Sequence, residues 1–447
     1  MGTPKTNKNN LPESSGKCLR GHPTGRPVSD EKFRRRDADG CGRDDRAPRK
    51  AANDRGKVKI VRRLLEWFGE NARDLPWRRR GDAYAIWIAE IMLQQTQVKT
   101  VRAYWERWMR ALPNARALAG AKPAAVLKLW EGLGYYARAR NAQAAARVMV
   151  EKHGGEFPQT FAEALALPGV GRYTAGAVCS IAFNQPTPVL DGNVMRVLSR
   201  VFGVGGDPRG KEAKERLWGL AEELVLIADW SKFDFPLRIA DLGKPAGRSF
   251  QQKERKGIVE CRQRNGGNCG RLNEALMELG ALVCTPREPR CTVCPLRALC
   301  FARREDWVGE LPMGKAAGRA ERRRFLAFIV KKNGRLLARQ RPAGGVNAQL
   351  WEFPNVEIAP EEKNPAAAAG PFVLTGKEPV CRVRHSITRH RILLEAYRAE
   401  WAGPAGKRGA PGVWRTAGQL ERLALTSAHR KILAVLQEEK KLEKRSV

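Results

Sequence analysis

The sequence predicts two folded regions of different class: a mainly α-helical region over residues 58–305 and an α+β domain over residues 324–440. In the first region apolar residues recur at helical spacing between short Pro and Gly breaks. From residue 325 the pattern changes to short strand-like runs that end in one amphipathic helix. A length of 447 residues with 43% hydrophobic residues is enough for two cores.

The individual elements follow from local patterns. Helical spacing is found over residues 58–68, 85–98, 127–130, 142–150, 173–183, 194–202 and 217–227. Strand-like runs cover residues 325–331, 335–339 and 391–401, and a closing helix is expected over 427–437. The spacing within each run therefore predicts helices in the first region and a mixed sheet in the second.

Polar segments flank and interrupt these regions. Residues 1–57 are rich in Asn, Gly, Pro and charge, which predicts a disordered basic tail. Residues 231–271 interrupt a helical pattern with polar, Gly-containing sequence and are expected to form an inserted surface loop. A basic linker over 306–323 and a short basic tail over 441–447 complete the organisation.

The net charge predicts a polyanionic partner. There are 82 Lys and Arg against 47 Asp and Glu, a formal charge of +35. Charge alone is equally compatible with a ribosomal or nucleoid protein. Apolar runs are too short for a membrane span, and the N terminus lacks the apolar region of a secretory signal. We expect an intracellular protein that does not contact membranes.

Four of the ten cysteines lie close together, with the spacing Cys284-x6-Cys291-x2-Cys294-x5-Cys300. Four thiolates on one short loop are suitable ligands for a [4Fe–4S] cluster. The alternative is a structural zinc site, but such sites usually contain two separate Cys-x2-Cys pairs and this loop has one. The spacing favours the cluster.

Two further segments contain residues suited to phosphate binding or to a carboxylate site. Gly169, Val170 and Gly171 predict a tight hairpin whose backbone N–H groups can bind a phosphate, although a plain turn between helices has the same signature. Asp191 stands at a predicted helix start, where a capping role is the simpler interpretation. The hairpin, Asp191 and the four-cysteine loop together resemble the endonuclease III superfamily of helix-hairpin-helix DNA glycosylases.

Other motifs resemble the adenine DNA glycosylase (MutY) family within that superfamily. They are Leu-Pro-Trp-Arg at 75–78, Glu-Ile-Met-Leu-Gln-Gln-Thr-Gln-Val at 90–98 and Gly-Leu-Gly-Tyr-Tyr-Ala-Arg-Ala-Arg-Asn at 132–141. Glu90 lies in an otherwise apolar helix, so burial should raise its pKa and keep it protonated as a general acid. The resemblance implies that Glu90 protonates the departing adenine.

The resemblance also implies roles for neighbouring residues. Asp191 would stabilise or trap the oxocarbenium ion of the sugar, and Tyr173 and Asn193 would orient Asp191 and the water. Bifunctional relatives carry a Lys where this chain has Tyr173, so no Schiff base is expected and the enzyme should be monofunctional.

DNA contacts are implied for a further set of residues. Gln94 and Tyr135 would wedge into the duplex while the adenine is flipped out, and Gln95 and Trp87 would line the adenine pocket. The hairpin formed by Gly169, Val170 and Gly171 would hold the DNA backbone.

The C-terminal domain resembles the MutT-like Nudix domain with which MutY enzymes read 8-oxoguanine. The similarity lies in Leu-Leu-Ala-Arg-Gln-Arg-Pro at 336–342 and Leu-Trp-Glu-Phe-Pro at 350–354, and no Glu-rich hydrolase helix is present in the sequence. Where the family has Phe-Ser-His, this chain has Thr388 with its hydroxyl, Arg389 in place of His, and then His390. A solvated β-turn is the alternative interpretation of this segment.

The sequence thus predicts a monomeric glycosylase that hydrolyses the N-glycosidic bond of adenine opposite 8-oxoguanine or guanine in double-stranded DNA. A bacterial cytoplasmic location near the nucleoid is expected. One alternative is an endonuclease III-like glycosylase and lyase on oxidised pyrimidines, which Tyr173 disfavours. The other is a non-catalytic iron–sulfur DNA-binding protein, which the presence of Glu90 and Asp191 disfavours.

Overall fold

The computed structural model describes residues 46–229, 267–314, 320–387, 389–403 and 412–443. The first region is helical, as its periodicity predicts. Its helices are α1 (Arg46–Asn71), α2 (Pro76–Arg80), α3 (Ala83–Leu93), α4 (Val98–Ala111), α5 (Ala115–Gly120), α6 (Pro123–Trp130), α7 (Ala137–Lys152), α8 (Phe161–Leu165), α9 (Arg172–Phe183), α10 (Gly192–Phe202), α11 (Lys211–Ala228), α12 (Cys269–Leu282) and α13 (Phe301–Arg304). A short 3-10 helix covers Cys291–Val293.

Two predicted boundaries differ from the structure. Helix α1 begins at Arg46, so residues 46–57 of the expected disordered tail are helical. Apolar periodicity starts only near residue 58, which is why the pattern did not reveal the first turns. Helix α12 begins at Cys269, so the last residues of the expected insertion are also helical. Residues 1–45 and 230–266 lie outside the described residues.

The helical region contains two apolar cores. The first helical core is formed mainly by α2 to α8, and the second mainly by α1 and α10 to α12. Helix α9 belongs to both, since Val178 packs in the first and Ala177 in the second. The two cores meet at a cleft whose walls include α3 from the first and the start of α10 from the second.

The C-terminal domain is built on strands β1 (Glu321–Ile329), β2 (Lys331–Lys332), β3 (Arg335–Gln340), β4 (Trp351–Glu352), β5 (Asn355–Ile358), β6 (Phe372–Leu374), β7 (Cys381–Ile387), β8 (His390–Trp401) and β9 (Val413–Arg415). Strand β1 lies between β5 and β8, and it is parallel to β8. The other edge of the long β8 pairs antiparallel with both β6 and β7. A second sheet is centred on β3, which pairs with β2, β4 and β9.

Helices α14 (Ala417–Glu421) and α15 (Ser427–Glu443) follow the strands. Apolar residues of α15, including Ile432, pack with one face of the larger sheet. Strand β1 begins at Glu321 and α15 ends at Glu443, so the expected linker and C-terminal tail each lose three residues to the domain. The end residues of both elements are polar, and their composition therefore hid the continuation of the strand and the helix.

The C-terminal domain contacts the helical region directly. Leu350 and Ala424 are buried as part of the first helical core. The guanidinium of Arg140 on α7 donates to the carbonyl of Ala348 at 3.0 Å. Among the described residues, no helix is long and apolar enough to cross a membrane.

Candidate active site and DNA-binding elements

Glu90 is a buried carboxylic acid on α3. This helix is buried from Tyr84 to Met92, and Glu90 itself is only 5% exposed. Burial raises its pKa from 4.5 to about 7, an effect that the carboxylates of Asp191 and Glu274 reinforce and a hydrogen bond from Tyr173 opposes. At neutral pH a substantial fraction of Glu90 therefore keeps the proton that a general acid needs.

The hydroxyl of Tyr173 donates to Oε2 of Glu90 at 2.5 Å. This differs from the expectation that Tyr173 orients Asp191. Tyr173 is the second residue of α9, and its ring extends from there toward Glu90 on α3. Burial, together with the nearby Glu90, raises the pKa of Tyr173 well above its ordinary value. The phenol is thus a neutral donor that holds Glu90 in place.

Asp191 has the capping role that is the simpler interpretation of its sequence position, and it also lines the cleft. It caps α10, because its Oδ1 accepts from the N–H of Val194 at 2.7 Å. Its Oδ2 accepts from the Asn193 amide at 2.9 Å, as expected. Burial raises the pKa of Asp191 despite these hydrogen bonds. The carboxylate that caps α10 also lines the cleft. Glu90 lines the same cleft from α3.

Arg196 connects the Asp191 site to the cysteine loop. Its Nη2 donates to Oδ1 of Asn193 at 2.9 Å and to the carbonyl of Gly280 at 2.7 Å. Its Nε donates to the carbonyl of Cys284 at 2.7 Å. Sequence reasoning missed Arg196, because the spacing from Asp191 places it one helical turn away but says nothing about Cys284.

An ion-pair network forms one wall of the cleft. Arg78 contacts Glu274 at 2.7 Å and Glu278 at 3.2 Å, and Arg73 contacts Glu278 at 2.7 Å. Burial alone would raise the pKa of Glu278, but its hydrogen bonds to Arg73 and the charge of Arg78 lower it. Arg78 belongs to the quoted 75–78 motif, yet its partners lie about 200 positions away in sequence and could not be assigned from local pattern.

The two hairpin glycines have different environments. Gly169 has a φ of +74°, and a Cβ added there would lie 2.5 Å from Cβ of Asn141. Gly171 caps α9 with an ordinary φ of −96°, and a Cβ there would meet no atom within 4 Å. Val170 between them is buried. Gly169 is needed for the turn, whereas Gly171 leaves open space beside the N–H groups at the start of α9.

The expected wedge residues Gln94 and Tyr135 lie in two adjacent loops, and a strained backbone is found at Tyr135 and at Gln95, the neighbour of Gln94. Gln95 and Tyr135 have φ angles of +59° and +48°, and Tyr135 is 47% exposed. Gln94 ends α3, and its amide donates to Oγ1 of Thr174 at 3.3 Å. Arg138 joins the two loops, with hydrogen bonds to the carbonyls of Ile91, Met92, Gln94, Leu133 and Gly134.

One residue that was expected to line the adenine pocket does not line the cleft. Trp87 is fully buried and its ring packs against Tyr84 and Phe157, so it does not line the cleft. Helix α3 is apolar on every side, so its sequence could not show which face is turned to the cleft. Gln95 does line the cleft.

Strands β7 and β8 pair antiparallel up to their adjoining ends, where Ile387 pairs with His390. Arg389 is 75% exposed and lies 3.8 Å from Glu321, and Nδ1 of His390 lies 3.3 Å from the same carboxylate. Thr388 lies outside the described residues. Arg389 is therefore largely exposed to solvent beside Glu321, with His390 at the strand end.

The side chains of Cys284, Cys291, Cys294 and Cys300 line one cavity beside α10 and α12. Burial raises the pKa of Cys294 to about 11 and also raises that of Cys300. Nη1 of Arg200 lies 3.4 Å from Sγ of Cys284. Among the described residues, no three His, Cys, Asp or Glu side chains are arranged to hold a metal ion.

Two family models match the chain. Residues 88–223 match the HhH-GPD superfamily of base excision DNA repair proteins, and residues 326–435 match the NUDIX domain. The first match spans α3, the hairpin and the start of α10, and the second spans the sheets of the C-terminal domain. The fold is therefore a helix-hairpin-helix glycosylase region followed by a Nudix-like domain.

Curated relatives cover most of the chain. The human adenine DNA glycosylase is 35% identical over 439 residues, which cover 84% of this chain and 73% of the relative. The enzyme from Rattus norvegicus is 34% identical and covered to 78%, and that from Buchnera aphidicola (Acyrthosiphon pisum) is 32% identical and covered to 72%. With these identities and the two matched domains, the chain belongs to the adenine DNA glycosylase family of base excision repair enzymes.

Proposed function

We propose that this enzyme removes adenine from A:8-oxoguanine and A:G mispairs in double-stranded DNA by hydrolysis of the N-glycosidic bond, without cleaving the strand. The observation that carries the proposal is a pair of carboxyl groups that line one cleft, the buried Glu90 and the half-buried Asp191. Their different surroundings suit them to opposite tasks, as in glycosidases with an acid and a charge-stabilising carboxylate.

The first step is protonation of the flipped adenine. Adenine leaves poorly as an anion, so a proton must reach a ring nitrogen before the bond to the sugar breaks. Glu90 has a pKa of about 7 and donates this proton, while Tyr173 fixes the carboxyl by its 2.5 Å hydrogen bond. The electrons of the glycosidic bond then remain on the neutral base, and the sugar becomes an oxocarbenium ion.

The second step is capture of the sugar cation. Asp191 is held by Val194 and Asn193, so its carboxylate is oriented before the charge develops. It stabilises the cation electrostatically or by a transient ester. Water then adds to the anomeric carbon, which releases Asp191 if the ester has formed, and the proton that the water loses passes to the carboxylate that Glu90 became when it protonated the adenine. A protein amine is needed for strand cleavage through a Schiff base, and the residue at the corresponding position is the phenol Tyr173.

The hairpin and the wedge loops provide the DNA contacts of the proposal. The N terminus of α9 beside Gly171 is suited to a backbone phosphate. Gln94 and Tyr135 would fill the space left by the flipped adenine, and the exposure and strained backbone of Tyr135 support this role.

The segment at 385–390 is the proposed reader of the base opposite adenine. The exposed guanidinium of Arg389 can donate to the acceptors on the edge of 8-oxoguanine or to its phosphate. We infer that Thr388 and His390 contribute hydrogen bonds beside it. This assignment requires that replacing Arg389 weakens the preference for A:8-oxoguanine over A:G.

We infer that the four cysteines hold a [4Fe–4S] cluster. They line one cavity, and they contain a single Cys-x2-Cys pair where a structural zinc site usually has two. Four soft thiolates beside the Arg200 guanidinium fit a cluster with several irons. When bound, the cluster supplies iron–thiolate bonds that hold the loop after α12 in its shape.

We propose that the enzyme acts as a monomer on nucleoid DNA. The test uses duplexes with A opposite 8-oxoguanine or G, and a duplex with thymine glycol. We expect the enzyme to release free adenine. The adenine strand should break only after treatment with alkali. Breaks without alkali, or action on thymine glycol, would indicate the lyase alternative. Binding without base release would indicate a DNA-binding protein.

A further inference from the structure

A cluster of charged residues joins the C-terminal domain to the loop that carries Tyr135. Glu131 ends α6, and its side chain is 14% exposed. Its Oε1 accepts from the Leu425 N–H at 2.8 Å and from Nη2 and Nε of Arg430 at 2.6 and 2.9 Å. Its Oε2 accepts from Nζ of Lys128 at 2.6 Å. Lys128, Glu131 and Arg430 are called the interdomain joint below.

The joint is reinforced by backbone acceptors of the C-terminal domain. Lys128 also donates to the carbonyls of Glu421 and Leu423, and Arg430 donates to the carbonyl of Leu423 at 2.6 Å. One carboxylate thus satisfies two cations and one N–H group in a partly buried site, where charge-assisted hydrogen bonds are strong. Removal of one partner leaves the others incompletely paired.

Glu131 is also the first residue of the loop with the Tyr135 wedge. Gly132, Gly134 and Tyr135 all have positive φ angles, of +101°, +73° and +48°. Positive φ costs the two glycines little, but it is unfavourable for Tyr135, so the surroundings of the loop must hold Tyr135 in this conformation. Arg138 holds its far end by hydrogen bonds to the carbonyls of Leu133 and Gly134. Glu131 holds the near end of the loop. Some of the groups that donate hydrogen bonds to the Glu131 carboxylate belong to the C-terminal domain.

We propose that the Glu131–Arg430 pair positions Tyr135, so that the domain reading the opposite base helps to set the wedge that flips the adenine. The inference rests on the proposed wedge role of Tyr135 and goes beyond it, because it assigns Arg430, far from the cleft, to base flipping. The pair acts through the Gly132–Gly134 backbone and does not touch the substrate itself.

The test combines Arg430→Gln and Glu131→Gln with Tyr135→Ala in the full-length enzyme. Single-turnover adenine release from A:8-oxoguanine duplexes is measured, with fluorescence of 2-aminopurine at the adenine position as the flipping signal. Each joint variant should lose roughly tenfold in rate, the size of one charge-assisted hydrogen bond, and should lower the flipping signal. In the Tyr135→Ala background the same substitutions should cost almost nothing further, because they act through that side chain.

Arg398→Gln is the matched control. Arg398 pairs with Glu439 at 2.8 Å inside the C-terminal domain, and its substitution should leave both signals unchanged. Thermal unfolding identifies any joint variant that is misfolded. Lys128→Met is then measured in place of that variant. Wild-type rates in the joint variants, or losses that multiply with Tyr135→Ala, would overturn the inference. A wild-type enzyme that releases no adenine would instead overturn the proposed function.

Discussion

At the scale of single residues, the burial of Glu90 is unfavourable for the stability of the fold. The same burial gives the carboxyl the raised pKa that the proposed general acid needs. Glu90 lies in a helix whose other buried positions are apolar, and its pKa of about 7 results mainly from burial. The folded state therefore resists ionisation of this carboxyl, whereas the unfolded chain ionises it near pH 4.5. Activity and stability should respond in opposite directions when it is replaced.

We predict that Glu90→Gln stabilises the protein at alkaline pH. Since the folded pKa is raised, wild-type stability decreases between pH 4.5 and 7 and stays low above that range. The neutral amide avoids this loss, which is about 3 kcal/mol at pH 8 for a pKa rise from 4.5 to about 7. Denaturant unfolding at pH 5 and pH 8 measures the difference. Glu151→Gln, at an exposed site on α7, should show no such pH-dependent gain, and equal gains for both variants would contradict the account.

Tyr173→Phe should move the alkaline limb of the rate profile. The hydrogen bond from Tyr173 lowers the pKa of Glu90, so its removal raises that pKa further. Glu90 then keeps its proton to higher pH, and adenine release should decline later as pH rises. Single-turnover rates between pH 5 and 9 give the midpoint of the limb. An unchanged midpoint, or a shift to lower pH, would contradict the proposed effect of Tyr173 on the pKa of Glu90.

At the scale of elements, the hairpin before α9 separates a folding requirement from a binding requirement. Gly169→Ala should destabilise the protein by at least about 1 kcal/mol, because of its positive φ and the close Asn141. Gly171→Ala meets no neighbour, so stability should stay close to wild type while a methyl group obstructs the phosphate site. Chemical denaturation and DNA-binding titrations distinguish the two. Equal affinity for Gly171→Ala and wild type would remove the hairpin from the DNA contact.

The cysteine loop allows a prediction of the iron and sulfide content of the purified enzyme. If it holds a cluster, purified enzyme should contain about four iron and four sulfide per chain. Cys291→Ser should lower both, and Cys381→Ser, in β7, should not. Metal and sulfide analysis with the visible absorption spectrum measures the content. One zinc per chain without sulfide would contradict the cluster.

These elements also mark what the sequence can predict. The burial of Glu90, the turn at Gly169 and the grouping of four cysteines depend on neighbours in sequence, and local pattern was sufficient for them. The Arg78–Glu274 pair and the Tyr173–Glu90 hydrogen bond join distant segments, and they depend on how α3, α9 and α12 pack. Periodicity contains no such information, which is also why Trp87 was assigned to the cleft when it belongs to the core.

At the scale of the whole molecule, the charge and the specificity have different origins. A net charge of +35 favours salt-sensitive attachment to any DNA. We propose that selection of adenine depends on a cleft between two helical cores, to which α3 and the start of α10 each contribute one carboxyl group. The joint at Glu131 adds a physical connection from this region to the domain that is proposed to read the opposite base.

The most direct test of the central claim is single-turnover adenine release from an A:8-oxoguanine duplex as a function of pH, for wild type and Glu90→Gln. We predict that the wild-type rate falls as Glu90 loses its proton above about pH 7, and that Glu90→Gln is slower by at least about 100-fold while it still binds the duplex. Release of adenine by Glu90→Gln at the wild-type rate, with the same pH dependence, would contradict the assignment of Glu90 as the acid.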